Sequence, residues 1–179
     1  MTTAAAIGFR AHSGWAAAVA VTGSAHAVAI TRRRIEMGDA QPYHAAARLD
    51  IAEARELVER CAARAASMAA EALRGLIGDL HRLGHEVTGC GLLLASGRPL
   101  PELESILRSH ALIHTAEGEH FRNALRAAVR QRGLPLVTLK ERDVEIAPHI
   151  AAMGKAVGPP WGQDQKLAAT AAWQVLCRR

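Results

Sequence analysis

Three short apolar runs open the chain and predict β-strands. Residues 4–10, 14–21 and 25–35 are rich in alanine, valine or isoleucine, and turn-forming residues separate them. The second break, at residues 22–25, contains a Gly-Ser pair that suits a two-residue hairpin. We therefore expect the second and third strands to be antiparallel neighbours.

The pattern becomes helical after Pro42. Asp50 and Glu53 have the spacing of a capping-box variant, and apolar residues then recur at helical spacing as far as about Leu83. Gly84 is expected to end this helix. An unbroken helix of this extent would be about 50 Å long.

The second half of the chain alternates between strands and helices. Compact apolar runs predict buried strands at residues 87–95 and 134–139. Helical spacing predicts helices over 101–112 and 115–132. A last amphipathic helix is expected to begin with Asp164 as its cap.

The order of these elements indicates an α/β fold. Strands joined through helices should pair in parallel, whereas the opening hairpins add antiparallel strands. We therefore predict a mixed five-stranded sheet with helices on both faces. Because no repeat or low-complexity linker interrupts the pattern, residues 1–179 are expected to form a single domain.

Composition narrows the class of protein. Half of the residues are apolar and 22% are charged, which excludes wholesale disorder. Three cysteines without metal-ligand spacing predict free thiols in a reducing compartment. No apolar run has the length of a membrane helix and the first residues lack the pattern of a secretory signal, so we expect a cytoplasmic protein with no membrane partner.

The net charge of +5 allows an anionic partner. Arginine accounts for 19 of the 22 basic residues, and its guanidinium binds phosphate through two hydrogen bonds. The alternative is a compositional bias, because most of the basic residues are scattered along the chain. Their only tight cluster is Arg32, Arg33 and Arg34.

Three parts of the chain carry a recognisable pattern: residues 7–10 with 13–19, residues 121–125 with 133–137, and residues 164–172. Together they resemble the RuvC-type resolvases of the ribonuclease H-like superfamily. The resemblance implies a ribonuclease H-like fold. It also implies where catalysis would occur, since nucleases of this family hold two divalent metals with carboxylates on the first strand, near the end of the fourth strand and on the last helix.

The chain departs from that family pattern. Arg10 stands where the first-strand aspartate would be, residues 91–96 contain no acid, and only Asp164 carries over. A guanidinium repels Mg²⁺, and one carboxylate cannot organise two ions. The resemblance therefore implies a diverged domain without two-metal nuclease chemistry, and no cofactor is assigned.

Our preferred hypothesis is a non-nuclease domain that binds an anionic ligand, either nucleic acid or a nucleotide. The ligand is expected along the strand ends near Arg10 and Arg98. An ordinary hairpin turn with an ion-paired arginine is the alternative at Arg10. The full set of proposed ligand-binding residues is Arg10, His12, Ser13, His44, Arg98, Arg122 and Asp164.

A run of histidines offers a second hypothesis. His110, His114, Glu117 and His120 share one face if the segment is helical throughout. The enzyme alternative is a hydrolase that uses His114, Glu117 and His120 as acid and base groups, with His44 as a further member. A metal site is another hypothesis, but we assign no metal ligand. Thr115 is a candidate cap for a new helix, which would break the shared face. Histidines that only form structural hydrogen bonds would also account for the pattern.

The long helix offers a third hypothesis. Its alanine-rich stripe would suit contact with a second copy of the chain, making a homodimeric interaction module.

Overall fold

The computed structural model describes residues 2–95 and 99–178. Its centre is a five-stranded mixed sheet in the order β3-β2-β1-β4-β5. The β1–β2 and β2–β3 pairs are antiparallel, whereas β4 is parallel to both β1 and β5. The strands are β1 (Thr3–His12), β2 (Trp15–Thr22), β3 (Val28–Glu36), β4 (His85–Leu94) and β5 (Leu136–Lys140).

Helices cover both faces of the sheet, as predicted. The two long ones, α2 (Ile51–Arg82) and α4 (His110–Gln131), lie on one face, and α7 (Gln163–Cys177) lies on the other. The short helices are α1 (Pro42–Ala46), α3 (Leu103–Leu107), α5 (Pro148–Ala152) and α6 (Gly154–Val157), and a 3-10 turn, η1 (Glu141–Asp143), follows β5.

Alternation along β1 separates the two cores. Ile7 and Phe9 are buried against α2 and α4, whereas Ala6 belongs to the cluster beneath α7. Because strand side chains alternate between faces, Gly8, Arg10 and His12 share the α7 face with Ala6. The end of β1 therefore projects Arg10 and His12 beyond the covered part of that face.

Two glycines allow α7 to lie directly on the central strands. A Cβ on Gly8 would overlap the backbone of Ala168, and a Cβ on Gly91 would overlap the backbone of Ala171. Gly8 and Gly91 are register partners in β1 and β4. Their lack of side chains therefore sets the close approach that fixes the start of α7 near the end of β1.

The long helix α2 agrees with the sequence prediction. Asp50 is its N-cap and accepts hydrogen bonds from the backbone N–H groups of Ala52 and Glu53, each at 2.9 Å. Gly84, with φ of +82°, follows its last turn. The alanines Ala65 and Ala69 are buried in the chain's own core, so that part of the stripe is not available to a second copy. A homodimer stays a prediction.

Three local predictions are wrong. The helix predicted from residue 115 begins at His110, because Ser109 provides the cap and Thr115 is accommodated by donating to the carbonyl of Ala111. The last helix is capped at Gly162, which leaves Asp164 inside its first turn. The connection between β2 and β3 is longer than a two-residue hairpin, since Thr22 pairs with Val28.

The expected free thiols are present. Cys61, Cys90 and Cys177 are free. No helix within residues 2–95 and 99–178 combines the length and the apolar character that a membrane crossing needs.

Candidate functional site

Arg10 is the centre of a charged cluster at the end of β1. Its Nη2 and Nε atoms donate to the two carboxylate oxygens of Glu141, at 2.6 and 3.2 Å. Its Nη1 atom donates to Asp164. The hydrogen bonds to Glu141 contribute most to the raised pKa of Arg10, and they outweigh the opposing effect of burial. Arg10 is therefore a fixed cation between two carboxylates.

Asp164 has two hydrogen-bonding neighbours. Besides Arg10, the Nε2 atom of His12 lies 2.9 Å from its Oδ1 atom. Burial raises the pKa of Asp164, but hydrogen bonds from His12 and Arg10 outweigh it, so this pKa lies below its ordinary value. Its place in the first turn of α7 also favours a negative charge, because the N-terminus of a helix is positive.

This arrangement opposes a divalent ion between the two acids. Glu141 and Asp164 both direct oxygens at Arg10. A Mg²⁺ ion needs those oxygens as ligands and is repelled by a guanidinium. It would therefore have to displace Arg10 from two ion pairs.

An aromatic and basic surface adjoins this cluster. The rings of Trp15 and His12 stack with centroids 4.3 Å apart and planes 12° apart. The guanidinium carbon of Arg34 lies 3.8 Å from the centre of a Trp15 ring. Trp15, Arg32 and Arg34 lie on the α7 face of β2 and β3. Together with His12, which stacks on Trp15, they form a surface that we call the arginine face.

The arginine face borders a cavity of about 310 Å³. The Arg32 guanidinium donates to the carbonyl oxygens of Gly158 and Pro159, and no carboxylate pairs with it among residues 2–95 and 99–178. Arg34 pairs with Glu36, but both side chains are more than half exposed. Exposed pairs of this kind are weak and screened by salt, so Arg34 remains available to a phosphate. The cavity is lined by Trp15, Ala17, Arg32, Arg33, Arg34, Pro160, Asp164 and Gln165.

The remaining proposed ligand residues are dispersed. Ser13 is exposed in the turn between β1 and β2. Arg122 donates to the carbonyl of Leu93 at 3.3 Å and lies 3.6 Å from Glu119. Burial is the main cause of its lowered pKa. Arg98 lies outside the described residues.

A second group of polar side chains gathers where α1 meets α4. His44 contacts the rings of His110 and His114, with centroids 5.6 and 4.8 Å away. Its Nδ1 atom lies 2.9 Å from the Oε1 atom of Glu117, which is 2% exposed. His120 is also buried but contacts the ring of Tyr43 instead.

The catalytic set predicted from sequence is therefore only partly assembled. The histidine cluster unites His44, His110, His114 and Glu117, whereas the Nε2 atom of His120 is buried without a hydrogen-bond partner among the described residues. Burial lowers the pKa of His120, against smaller raising effects of a backbone hydrogen bond at Cys61 and of the Glu117 charge.

Two members of the site were missed by sequence reasoning. Glu141 lies in the 3-10 turn after β5, 131 positions from Arg10, and no local pattern marks it. Trp15 was not among the proposed ligand-binding residues, but its stacking with His12 places it on the arginine face. The register of β1 and β2, which pairs His12 with Trp15, was the available signal for this contact.

Comparison with known proteins identifies the architecture. No protein-family model matches the chain, and no curated protein shows significant sequence similarity to it. Among solved structures, Thermus thermophilus RuvC in complex with a Holliday junction substrate superimposes with a TM-score of 0.54 and 14% identity, over 97% of this chain and 93% of the other. The chain has the ribonuclease H-like fold. A second structure of T. thermophilus RuvC gives a TM-score of 0.48 and 13% identity, over 94% and 91% of the two chains.

The ribonuclease H-like fold predicted from the sequence is thereby confirmed. At 14% identity the likeness concerns the fold alone, and the chemistry must be argued from this chain's own residues.

Proposed function

We propose that this chain is a nucleic-acid-binding domain that does not cleave its ligand by two-metal chemistry. The ligand binds at the arginine face. The single observation that carries the proposal is the position of Arg10, fixed between Glu141 and Asp164 at the end of the first strand. A cation there opposes the metal ions that cleavage would need, and it offsets part of the negative charge that Glu141 and Asp164 would otherwise present to a polyanion bound at the arginine face.

The arginine face has the chemistry that a phosphate backbone requires. Among the described residues Arg32 pairs with carbonyl oxygens and with no carboxylate, and the carboxylate that pairs with Arg34 is more than half exposed, so both charges remain available. Guanidinium groups bind phosphate through paired hydrogen bonds. The adjacent Trp15 ring, which contacts both His12 and Arg34, holds these two side chains beside the cavity.

The two ion pairs of Arg10 give it a structural role instead of a direct role in phosphate binding. Both of its carboxylate partners are satisfied by it, so we assign Arg10 to holding β1, η1 and α7 together. Phosphate contact passes to Arg32 and Arg34. His12 links the two regions, since it contacts both Asp164 and Trp15.

Binding of a labelled four-way DNA junction between 50 and 200 mM salt tests the proposal. The RuvC neighbour was solved with a Holliday junction, which makes this probe an informative choice, and a linear duplex of equal length is the comparison. Affinity should fall steeply with salt. Arg32→Ala and Arg34→Ala should each weaken binding and lower the salt slope by about one.

Arg60→Ala is the matched control. Arg60 is 68% exposed on α2 and pairs with Glu56, so it has the same charge on the opposite layer. Its loss should leave the affinity unchanged. Absence of salt-dependent binding, or an equal effect of Arg60→Ala and Arg34→Ala, would refute the proposed surface, and junction cleavage that depends on Mg²⁺ and on Asp164 would refute the non-nuclease role.

A further inference from the structure

Three histidines from two helices meet at one point of the surface. His44 belongs to α1, and His110 and His114 lie one turn apart at the start of α4. One ring nitrogen from each lies within 4.8 Å of the other two. The rings of His110 and His114 have centroids 4.5 Å apart and are nearly perpendicular.

Glu117 fixes the orientation of His44. Its Oε1 atom accepts the backbone N–H of His44 at 3.2 Å and faces the Nδ1 atom at 2.9 Å. An ionised carboxylate only accepts hydrogen bonds, so a neutral His44 in this contact would carry its proton on Nδ1 and leave the lone pair of Nε2 for a metal. A carboxylate that holds one nitrogen of a histidine while the other binds metal is a frequent arrangement in zinc sites.

Glu117 is buried, and its contact with His44 offsets the free-energy cost of burying a carboxylate. Glu117 is one of the few polar residues buried in the described chain, and a buried carboxylate is stable only when its charge is matched. His110 and His114, in contrast, are exposed and can receive an ion from solvent. The cluster thus combines a rigid inner ligand with two accessible outer ligands.

The donor set selects the class of ion. Three imidazole nitrogens suit Zn²⁺ and neighbouring transition metals, whereas Mg²⁺ and Ca²⁺ prefer oxygen. Zinc–nitrogen bonds near 2.0–2.1 Å place tetrahedral ligands about 3.3 Å apart. Metal binding would therefore require the two exposed rings to turn about their side-chain bonds and shorten separations that now reach 4.8 Å.

We propose that His44, His110 and His114 bind one transition-metal ion of the Zn²⁺ class, with Glu117 as a positioning residue. The ion joins α1 to α4, and its fourth coordination position faces solvent. This site is independent of the arginine face, because α1 packs on α2 and α4, which lie in the layer opposite α7.

Calorimetric titration of untagged, metal-stripped protein with Zn²⁺ tests the proposal. The native chain should bind one equivalent, and Co²⁺ should give the absorption of a nitrogen-ligated tetrahedral site. His110→Ala and His114→Ala should each lower the affinity at least tenfold. Glu117→Gln should lower it by about 10- to 100-fold while retaining the three ligands.

His81→Ala is the matched control, since His81 is exposed at the end of α2. It should leave the stoichiometry and affinity unchanged. Zn²⁺ should also raise the melting temperature of the native chain but not of the His114→Ala variant. Because His110 and His114 are exposed, their variants keep the test valid even if Glu117→Gln fails to fold.

Three outcomes would overturn the proposal. One is the absence of stoichiometric Zn²⁺ binding. Another is unchanged binding in the His114→Ala variant. The third is binding abolished by Cys61→Ser but not by His110→Ala, because Cys61 lines a neighbouring cavity with His44 and would then be the true ligand.

Discussion

Arg10 connects three segments that are distant in sequence. It extends from β1 to Glu141 in η1 and to Asp164 in α7, and its side chain is 22% exposed. Partial burial strengthens these ion pairs relative to exposed ones. It also means that loss of the Arg10 cation would leave two partly buried carboxylates without a partner, which would destabilise the fold. The residue therefore contributes to stability as well as to the charge of the site.

Replacing Arg10 with Gln should lower the free energy of unfolding by about 2 kcal/mol at pH 7, because two charged acids lose their cation. The deficit should shrink as the pH falls. The lowered pKa of Asp164 means that its ion pairs stabilise the fold above the unfolded pKa of about 3.9 and are lost as the pH falls through the folded pKa. Urea unfolding at pH 7 and pH 3 measures both effects.

Arg108→Gln is the control for this experiment. Arg108 pairs with Glu104, but its side chain is 77% exposed, so the expected change is below about 0.5 kcal/mol. Equal effects of the two substitutions, or a deficit at Arg10 that does not depend on pH, would contradict the assigned role.

The sequence located only part of this site. Arg10 and Asp164 were selected because they fall at positions that the resemblance to RuvC-type resolvases marks, and His12 because it follows Arg10 at the end of the first strand. Glu141 could not be selected, since its role depends on where the short η1 turn lies after β5. Long-range contacts of this kind leave no periodic signal in the sequence.

At the scale of elements, the position of α7 against the sheet depends on two glycines, one in β1 and one in β4. Gly8 and Gly91 lie beneath Ala168 and Ala171, where an added Cβ would overlap the backbone of the helix. Any Cβ there must push the helix away from the sheet. The first turn of α7, with Asp164, would move with it.

Gly91→Ala should destabilise the protein by about 1–3 kcal/mol through overpacking, as measured by chemical unfolding. Gly75→Ala is the matched substitution. Gly75 lies within α2 with nothing near its added Cβ, so alanine should stabilise the chain by about 0.5–1 kcal/mol. Changes of the same sign at both positions would show that packing of α7 is not the cause.

Sequence patterns predicted the elements unevenly, for physical reasons. The strands and α2 carry long apolar patterns with clear ends, and they were found with small boundary errors. The start of α4 was misplaced because Thr115 is a good cap residue, yet Ser109 serves instead. Helices α5 and α6 have only five and four residues, too few to establish a helical period.

For the whole molecule, the two proposed sites lie in different layers. The arginine face belongs to the α7 side of the sheet, whereas the histidine cluster belongs to α1 and α4 on the other side. Variants in one site therefore serve as controls for the other. Nucleic acid and metal are expected to bind independently.

Mapping nucleic-acid contacts by NMR tests the central claim most directly. Amide and indole N–H signals of the ¹⁵N-labelled chain would be followed during titration with a four-way DNA junction, and Trp15→Phe would assign the Trp15 indole. The account predicts shifts at Trp15 and along β2 and β3, reversed by added salt, with the exposed face of α2 unchanged. Shifts confined to α2, or none at low salt, would contradict it.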